Sequence, residues 1–347
     1  MTDIHIRTEG RAGCITLNRP KALNALTWDM CRAIEGALDT WADDPTVKLL
    51  LIDGAGDKAF CAGGDIQEMY DTGMAGDYDY GQRFWRDEYR MNAKLFNFPK
   101  PVVTFLHGFT MGGGVGVGCH GSHRIVDSTS QIAMPEVSIG LVPDVGGSLI
   151  LAHAPGRLGE YLGLTADRMD AADAIYAGFA DYMIPASAWS PLKAELCETA
   201  DWEAVDRAAT PPPPSRLASW QADIDEVFGG ETMGDIFRSM PDPLPDALVH
   251  AQKLMARNSP LAMHATLGLI HKVRETHSIE IALDHEFRFT SRAMEYGDFL
   301  EGIRAAIIDR DRNPKWRHAT WEDVRGHEVV RMTYPTKPRL DLTGASS

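Results

Sequence analysis

The sequence predicts an α/β fold with a helical C-terminal region. Over roughly the first two hundred of the 347 residues, short β-branched and apolar runs alternate with helical stretches. This alternation favours a parallel sheet covered by helices. After the proline run at residues 211–214 the pattern is helical only. The length suits two domains, or one large domain with an appendage.

The predicted core, residues 1–205, begins with a strand and a capped helix. Thr27 can accept a hydrogen bond from the first turn of a helix over Trp28–Trp41, whose apolar residues share one face. A longer helix over Tyr80–Phe98 is stopped by Pro99 and Pro101. The β-branched and apolar runs that predict strands are Cys14–Leu17, Val47–Ile52, Val102–Leu106 and Arg124–Val126.

Residues 206–246 are predicted to form a proline-rich connector, because four consecutive prolines cannot continue a helix or a central strand. Residues 247–332 are predicted to be the helical region, and the Pro-, Thr- and Ser-rich residues 333–347 a poorly ordered tail. The helices expected in that region are Ala247–Asn258, Pro260–Glu275, Ser278–Tyr296 and Phe299–Arg310.

Charge and composition exclude several classes of protein. A formal net charge of −15 argues against a protein that coats nucleic acid or an anionic membrane, since each phosphate must be met by Lys or Arg. The five cysteines form no C-x-x-C pair, so we expect free thiols in a reducing compartment and neither a disulfide framework nor a thiolate zinc site. The N-terminal residues lack the apolar stretch of a signal peptide, which predicts a cytosolic protein.

Two glycine-rich segments follow buried strands. They are Lys58–Ile66, after Val47–Ile52, and Met111–Gly116, after Val102–Leu106. Loops at the carboxyl ends of strands bind small molecules in open α/β folds, and two of them can direct one backbone N–H each at a common oxygen. The alternative is that the glycines only permit tight packing between strand and helix, and pattern alone does not separate the two interpretations.

A third segment, Ala133–Gly147, places Glu136 and Asp144 in otherwise apolar surroundings among prolines and glycines. A carboxylate in such a place either caps a helix or is a catalytic group with a shifted pKa. Taken alone, the pattern favours capping. Gly116–Gly121 spells the dinucleotide pattern G-x-G-x-x-G, but a strand-like run follows it where a helix is required.

These three segments together resemble the enoyl-CoA hydratase/isomerase (crotonase) family. They read KAFCAGGDI, HGFTMGGGVGVGCHGSHRI and AMPEVSIGLVPDVGGS, and the resemblance runs from about Thr16 to Trp316. The last two, with DFLEGIRAAIIDRDRNPKW at 298–316, resemble the group of this family that hydrolyses 3-hydroxyisobutyryl-CoA. The resemblance implies a crotonase-like spiral of ββα turns with a helical C-terminal region, and an acyl-CoA thioester as substrate.

The resemblance also implies site residues. The N–H groups of Gly64 and Gly113 match the family's oxyanion donors, and Glu136 matches its catalytic glutamate. Asp144 matches the acidic residue of the P-D-V-G-G motif, and Glu88 a substrate-pocket glutamate of the hydrolase group. The residues that match the segments holding coenzyme A are Lys21, Ala22, Leu23, Lys58, Ala62, Asp65 and Ile66.

Two departures from the family pattern affect the expected chemistry. Hydratases of the family use two glutamates, but Gly116 stands where the first of them belongs. Because addition of water to a double bond needs paired acid–base groups, this favours hydrolysis over hydration. Leu149 and Ile150 stand where aromatic residues are common in the hydrolase group, which leaves the shape of the acyl pocket open.

The resulting expectation is hydrolysis of a short 3-hydroxyacyl-CoA, specifically 3-hydroxyisobutyryl-CoA in valine breakdown. Glu136 would act as nucleophile or as general base, and Asp144 would orient it. The resemblance implies no metal or redox cofactor, coenzyme A being part of the substrate, and allows a homo-oligomer. The alternatives are a Δ3,Δ2-enoyl-CoA isomerase or another acyl-CoA enzyme of the family, and a non-catalytic or RNA-binding relative.

Overall fold

The chain winds in repeated strand–strand–helix turns through two sheets in the computed structural model, which describes residues 2–337 and 339–343. The strands are β1 (Ile4–Glu9), β2 (Ala12–Leu17), β3 (Leu49–Gly54), β4 (Ala59–Cys61), β5 (Val102–Phe105), β6 (Phe109–Met111), β7 (His123–Val126), β8 (Gln131–Ala133) and β9 (Tyr182–Met183).

The α-helices vary from one turn to five. They are α1 (Trp28–Ala42), α2 (Gln67–Met74), α3 (Asp79–Phe96), α4 (Gly113–Gly118), α5 (Gly147–Ala152), α6 (Leu158–Thr165), α7 (Ala171–Tyr176), α8 (Trp189–Thr199), α9 (Glu203–Ala208), α10 (Arg216–Val227), α11 (Met233–Arg238), α12 (Asp246–Met255), α13 (Pro260–Val273), α14 (Ile279–Tyr296), α15 (Phe299–Ile303) and α16 (Gly326–Thr333).

Each turn contributes one strand to each of two sheets. The first has the order β1-β2-β3-β5-β7-β9, in which only the β1–β2 pair is antiparallel. The second has the order β4-β6-β8 and is parallel. The first strand of each turn (β3, β5, β7) joins the six-stranded sheet and the next strand (β4, β6, β8) joins the three-stranded one. The predicted α/β class and its ββα spiral are therefore confirmed.

The described residues form two compact units that alternate along the chain. Unit 1 holds the residues up to Gly64, Arg90–Ala133 and Arg168–Arg216, and it contains both sheets. Unit 2 holds Asp65–Tyr89, Met134–Asp167 and the residues from Leu217 onward, and it is helical. The linear division into core, connector, helical region and tail stays a prediction.

The core of unit 1 lies on one face of the six-stranded sheet. Alternate residues of β3, Leu49 and Leu51, are buried together with Phe105 of β5 against Trp189 and Leu196 of α8. Alternation along a strand puts every second side chain on the same face, which is why these residues share one layer. The sheet core therefore fixes β3 and β5, the strands that precede β4 and β6 in the chain.

The predicted elements of the core are confirmed within a few residues at their ends. Thr27 caps α1 by accepting a hydrogen bond from the backbone N–H of Met30 at 3.2 Å. The segments taken as plain loops after β3 and β5 contain the short strands β4 and β6, because three-residue strands leave no periodicity to read.

The regions after the proline run contain more than the sequence predicted. The connector, residues 206–246, holds α10 and α11. The helix predicted over Phe299–Arg310 is correct only to Ile303 and then widens to a π-turn over Arg304–Ile308. Of the predicted tail, residues 338 and 344–347 lie outside the described residues. Its start is held by Arg292, which donates to the carbonyl oxygens of Tyr334 and Pro335.

Candidate active site

The two glycine-rich loops of unit 1 touch each other where they leave β4 and β6. A Cβ added at Gly114 would lie 2.3 Å from the carbonyl oxygen of Cys61, and one added at Gly63 would lie 3.5 Å from that of Met111. Gly63 also has a φ of +112°, a backbone conformation that L side chains rarely adopt. The glycines therefore permit two backbones to approach closely, as the interpretation based on tight packing predicted. The same close approach brings the two loops together.

Gly64 and Gly113 follow these contacts directly. Gly63 accepts a hydrogen bond from Leu26 N–H at 2.9 Å, which fixes the backbone just before Gly64. Gly113 is the first residue of α4, where amide N–H groups have no intrahelical partner. Neither the Gly64 nor the Gly113 N–H donates to a described residue. Unit 1 thus holds two unpaired amide donors in neighbouring loops.

The segment predicted to hold coenzyme A forms a tight turn beside β4. Leu23 and Asn24 both adopt left-handed conformations, with φ values of 50° and 56°. The Asn24 side chain donates to the carbonyl oxygens of Ala55 and Ala59 at 2.9 and 2.8 Å. Leu23 accepts the N–H of Ala62 at 3.0 Å, so this turn and the first glycine loop form one piece.

The cationic residues of this predicted binding segment are accessible. Lys21 and Ala22 are exposed in a short 3₁₀ turn, and Lys58 is exposed just before β4. Asp65 and Ile66 belong to unit 2, where Ile66 caps the start of α2. Unit 1 therefore gathers all of the predicted coenzyme A residues except these two.

In unit 2, Glu136 opens a 3₁₀ turn whose packing is unusually close. A Cβ at Gly140 would lie 2.5 Å from the carbonyl carbon of Asp298, and one at Gly302 would lie 2.1 Å from the carbonyl oxygen of Ile139. Gly302 belongs to the DFLEG segment, so that motif supports the turn carrying Glu136. The Glu136 side chain is 4% exposed, and its Oε2 has no hydrogen-bond partner among the described residues.

Asp144 lies in the same unit and is held by a buried tyrosine. The Tyr89 hydroxyl donates to Asp144 Oδ2 at 2.7 Å. Tyr89 and Glu88 are neighbours on α3, and both are buried. Neither Glu136 nor Asp144 caps a helix with its side chain, so the capping interpretation of these two residues is wrong.

A further buried carboxylate, Glu286 on α14, holds the loop that follows Asp144. It accepts hydrogen bonds from the N–H groups of Gly146 and Ser148 at 2.9 and 3.2 Å, and from the Ser148 hydroxyl. Val145 and Gly146 both have positive φ, which makes this a sharp turn in need of support. Glu286 therefore fixes the P-D-V-G-G loop.

These buried carboxyl groups shift one another's protonation. Burial, and then the charge of Asp144, raise the pKa of Glu136 and of Glu88 well above the ordinary value. Burial raises the pKa of Asp144 to about 7, although the Tyr89 hydrogen bond lowers it. Burial raises the pKa of Glu286 to about 8. Unit 2 thus holds carboxyl groups that exchange protons near neutral pH, as general acid–base chemistry requires.

Comparison with known proteins shows which family carries this arrangement. The family model for enoyl-CoA hydratase/isomerase matches residues 12–333. The chain belongs to this family. Acyl-CoA is accordingly the class of ligand that the family fold binds. The recognised resemblance is confirmed.

Individual relatives of this family member differ in the reaction that their names state. The chain is 37% identical to a mitochondrial 3-hydroxyisobutyryl-CoA hydrolase of Xenopus laevis, over 91% of this chain and 84% of that protein. It is 51% identical to a Rhodobacter sphaeroides structure described as an enoyl-CoA hydratase, with a TM-score of 0.93 over 98% of this chain and all of that one. It is 39% identical to a Mycobacterium thermoresistibile structure described as a carnitinyl-CoA dehydratase, with a TM-score of 0.94 over 99% of this chain and all of that one.

Two residues of unit 2 in this family member were missed by sequence reasoning. Tyr89 holds Asp144, and Glu286 holds the loop after it. A signal existed for Glu286, which falls on the buried helical stripe with Leu283 and Thr290. A charged residue on an apolar stripe needs a buried hydrogen-bond partner, and this expectation could have identified Glu286 as a candidate site residue.

Proposed function

We propose that this member of the family hydrolyses a short 3-hydroxyacyl-CoA, with 3-hydroxyisobutyryl-CoA as its substrate. The single observation that carries the proposal is a buried glutamate, Glu136, with an unpartnered carboxylate oxygen and a raised pKa. The names of the curated relatives, among them those of Xenopus laevis and Rattus norvegicus, support this substrate. Gly116, standing where a hydratase has its first glutamate, supports hydrolysis over hydration.

The mechanism begins with polarisation of the thioester. Donors from Gly64 N–H and Gly113 N–H stabilise the oxyanion that forms at the carbonyl oxygen, and loss of one such donor costs about 3–4 kcal/mol. Glu136 then attacks the carbonyl carbon, or removes a proton from the attacking water. In either route the C–S bond breaks, the sulfur takes a proton, and water supplies the hydroxyl of the acid product.

Two other carboxylates support Glu136 in this proposal. Asp144, fixed by Tyr89, orients Glu136 and the 3-hydroxyl group of the substrate. Glu88 lines the acyl end of the site. The reaction needs no metal ion and no redox cofactor, since coenzyme A is the leaving group and water the only other reactant.

Thiol release from a panel of acyl-CoA substrates tests the substrate assignment. We expect 3-hydroxyisobutyryl-CoA to give the highest kcat/KM, and the unhydroxylated isobutyryl-CoA to be a much poorer substrate. A site that hydrogen-bonds a hydroxyl is left with unpaired buried polar groups when that hydroxyl is missing. Equal rates with both substrates would contradict the role given to Asp144.

Lys58→Ala is expected to raise KM more than it lowers kcat. Lys58 is an exposed cation in a chain of net charge −15, and the proposal places it against the phosphates or adenine of coenzyme A. Steady-state kinetics with the acyl-CoA substrate measure the two constants. Lys48→Ala, at an exposed lysine just before β3, is the matched control. An unchanged KM for Lys58→Ala would place the coenzyme A end elsewhere.

We expect kcat/KM to increase with pH, and we expect this increase to lie at a pH well above the range in which glutamate ordinarily ionises. The active form has an ionised Glu136, and burial raises its pKa above the ordinary 4.5, so kcat/KM should increase with pH toward neutrality. Tyr89→Phe removes a hydrogen bond that lowers the pKa of Asp144, so Asp144 carries less charge at a given pH in this variant. Because the charge of Asp144 raises the pKa of Glu136, the limb should move to lower pH. A profile already flat from about pH 5.5 to about pH 8 would contradict a buried carboxylate base.

Several alternatives are weaker. An isomerase also works with one glutamate, but Asp144 and the DFLEG segment match the hydrolase group. An RNA-binding role conflicts with the net charge of −15, and a filter-binding assay with its salt dependence would expose it. A homo-oligomer also remains a prediction.

The location of the protein also stays a prediction. No helix among the described residues is long and apolar enough to cross a membrane. The cytosolic assignment differs from the printed names of the vertebrate relatives, which are mitochondrial. Fractionation of cells that produce the protein tests it.

A further inference from the structure

Unit 1 contains a second cluster of reactive side chains, remote in sequence from the glycine loops. Cys14 of β2 and Cys197 of α8 are 183 residues apart in the chain, yet their Sγ atoms are 3.9 Å apart. Glu9 of β1 points its Oε2 at Cys197 Sγ, 3.8 Å away. One ligand atom from each of these three residues lies within 4.8 Å of the other two.

The cluster opens into a cavity of about 470 Å³, which none of the candidate active-site residues lines. Its wall includes the three clustered residues together with Thr16, Asp53 and Lys193. Two cations of its wall are already engaged, since Arg7 pairs with Glu9 and Lys193 pairs with Asp53 at 2.6 Å. The Arg7 side chain donates to Oε1 of Glu9, which leaves Oε2 directed at the Cys197 thiol.

We propose that Glu9, Cys14 and Cys197 form a binding site for one soft divalent cation, with Zn²⁺ as the ion that fits best. At a Zn–S length of about 2.3 Å and a tetrahedral angle, two thiolate sulfurs lie about 3.8 Å apart. The same geometry puts a carboxylate oxygen about 3.6 Å from each sulfur. The observed separations of 3.9 Å between the sulfurs and 3.8 Å from Cys197 Sγ to Glu9 Oε2 need only small movements. The third separation, from Cys14 to the Glu9 carboxylate, is within 4.8 Å.

The ligand set and the cavity together define the kind of site. Two thiolates and one carboxylate suit Zn²⁺, whereas Mg²⁺ and Ca²⁺ take oxygen ligands only. Water from the cavity supplies the fourth ligand. Both thiols lose their protons to solvent on coordination. The bound ion would join β1, β2 and α8, three elements that no local sequence motif connects, which is why the absence of C-x-x-C gave no sign of it.

Co²⁺ titration of the reduced full-length protein, in the presence of a phosphine reductant, tests this site. We expect one Co²⁺ per chain, with thiolate-to-cobalt charge-transfer bands and the visible bands of tetrahedral coordination, both removed by stoichiometric Zn²⁺. Cys197→Ser and Cys14→Ser should lose the charge-transfer intensity in part or in full. Cys31→Ser, at a cysteine of α1 in the same unit, should keep it.

A further variant separates metal binding from folding. Glu9 is exposed, so Glu9→Gln should fold normally and weaken Zn²⁺ binding by at least about tenfold, the lower figure for loss of an outer-shell partner. Absence of charge-transfer bands in the reduced wild type would overturn the proposal. So would bands that keep their full intensity in both cysteine variants. If the reduced protein binds no metal but hydrogen peroxide joins Cys14 to Cys197, the cluster is a thiol pair and the proposal is wrong.

Discussion

Glu136→Gln is expected to reduce thiol release from 3-hydroxyisobutyryl-CoA by at least about a hundredfold, the low end for loss of a general base. The amide keeps the size of the side chain but can neither attack the thioester nor take a proton from water. Glu136 is buried in a tightly packed turn, and its Oε2 has no hydrogen-bond partner among the described residues. Stopped assays of released CoA measure the rate.

The matched control is Glu322→Gln, at an exposed glutamate of the same unit, which should leave kcat/KM unchanged. Thermal unfolding of both variants separates loss of chemistry from loss of fold. Mass analysis of wild-type enzyme quenched during turnover distinguishes the two routes, since a nucleophile leaves the acyl group on the peptide that contains Glu136. Turnover retained by Glu136→Gln would reject the central role of this residue.

Gly114→Ala is expected to lower kcat/KM by about a hundredfold, the effect of misplacing a reacting group by about 1 Å. The added Cβ would lie 2.3 Å from the carbonyl oxygen of Cys61, where ordinary contact begins at 3.4 Å. The two loops must therefore separate, and the amides of Gly64 and Gly113 that follow them move with the backbone. Steady-state kinetics on the folded fraction give the change.

Two further glycine variants make this result interpretable. Gly268→Ala, in α13, adds a Cβ that meets nothing within 4 Å and should leave activity unchanged. Gly63→Ala keeps an ordinary 3.5 Å contact with the carbonyl oxygen of Met111 but must adopt a φ of +112°. If Gly114→Ala yields too little folded protein, Gly63→Ala provides the second test, and it should still lower kcat/KM. Wild-type activity in both loop variants would remove the loops from the mechanism.

The sequence was sufficient for much of the fold because its signals are local. Thr27 predicted the start of α1, and the run Val47–Ile52 predicted a buried strand. The strands β4 and β6 were not predicted, because a run of three residues is too short to show the alternation of a strand. These two strands nevertheless define where the glycine loops begin. The alternation of the chain between two units also left no local signal.

The site was predictable where a family motif covers it and not where a partner comes from a distant helix. Glu136, Asp144 and the glycine loops lie in motifs. Glu286 holds the loop after Asp144 from 140 residues away, and Tyr89 reaches Asp144 from 55 residues away. The packing of helices brings such partners together. The spacing of residues within one segment does not show which helices pack against each other.

One comparison of two reactions on a single stock of wild-type enzyme tests the central claim most directly. Thiol release from 3-hydroxyisobutyryl-CoA is measured beside the loss of enoyl-thioester absorbance from crotonyl-CoA. With Gly116 where a hydratase has its first glutamate, we expect rapid release of CoA–SH and poor hydration. Fast hydration without thiol release would agree with the hydratase description of the Rhodobacter sphaeroides structure and would contradict the hydrolase assignment.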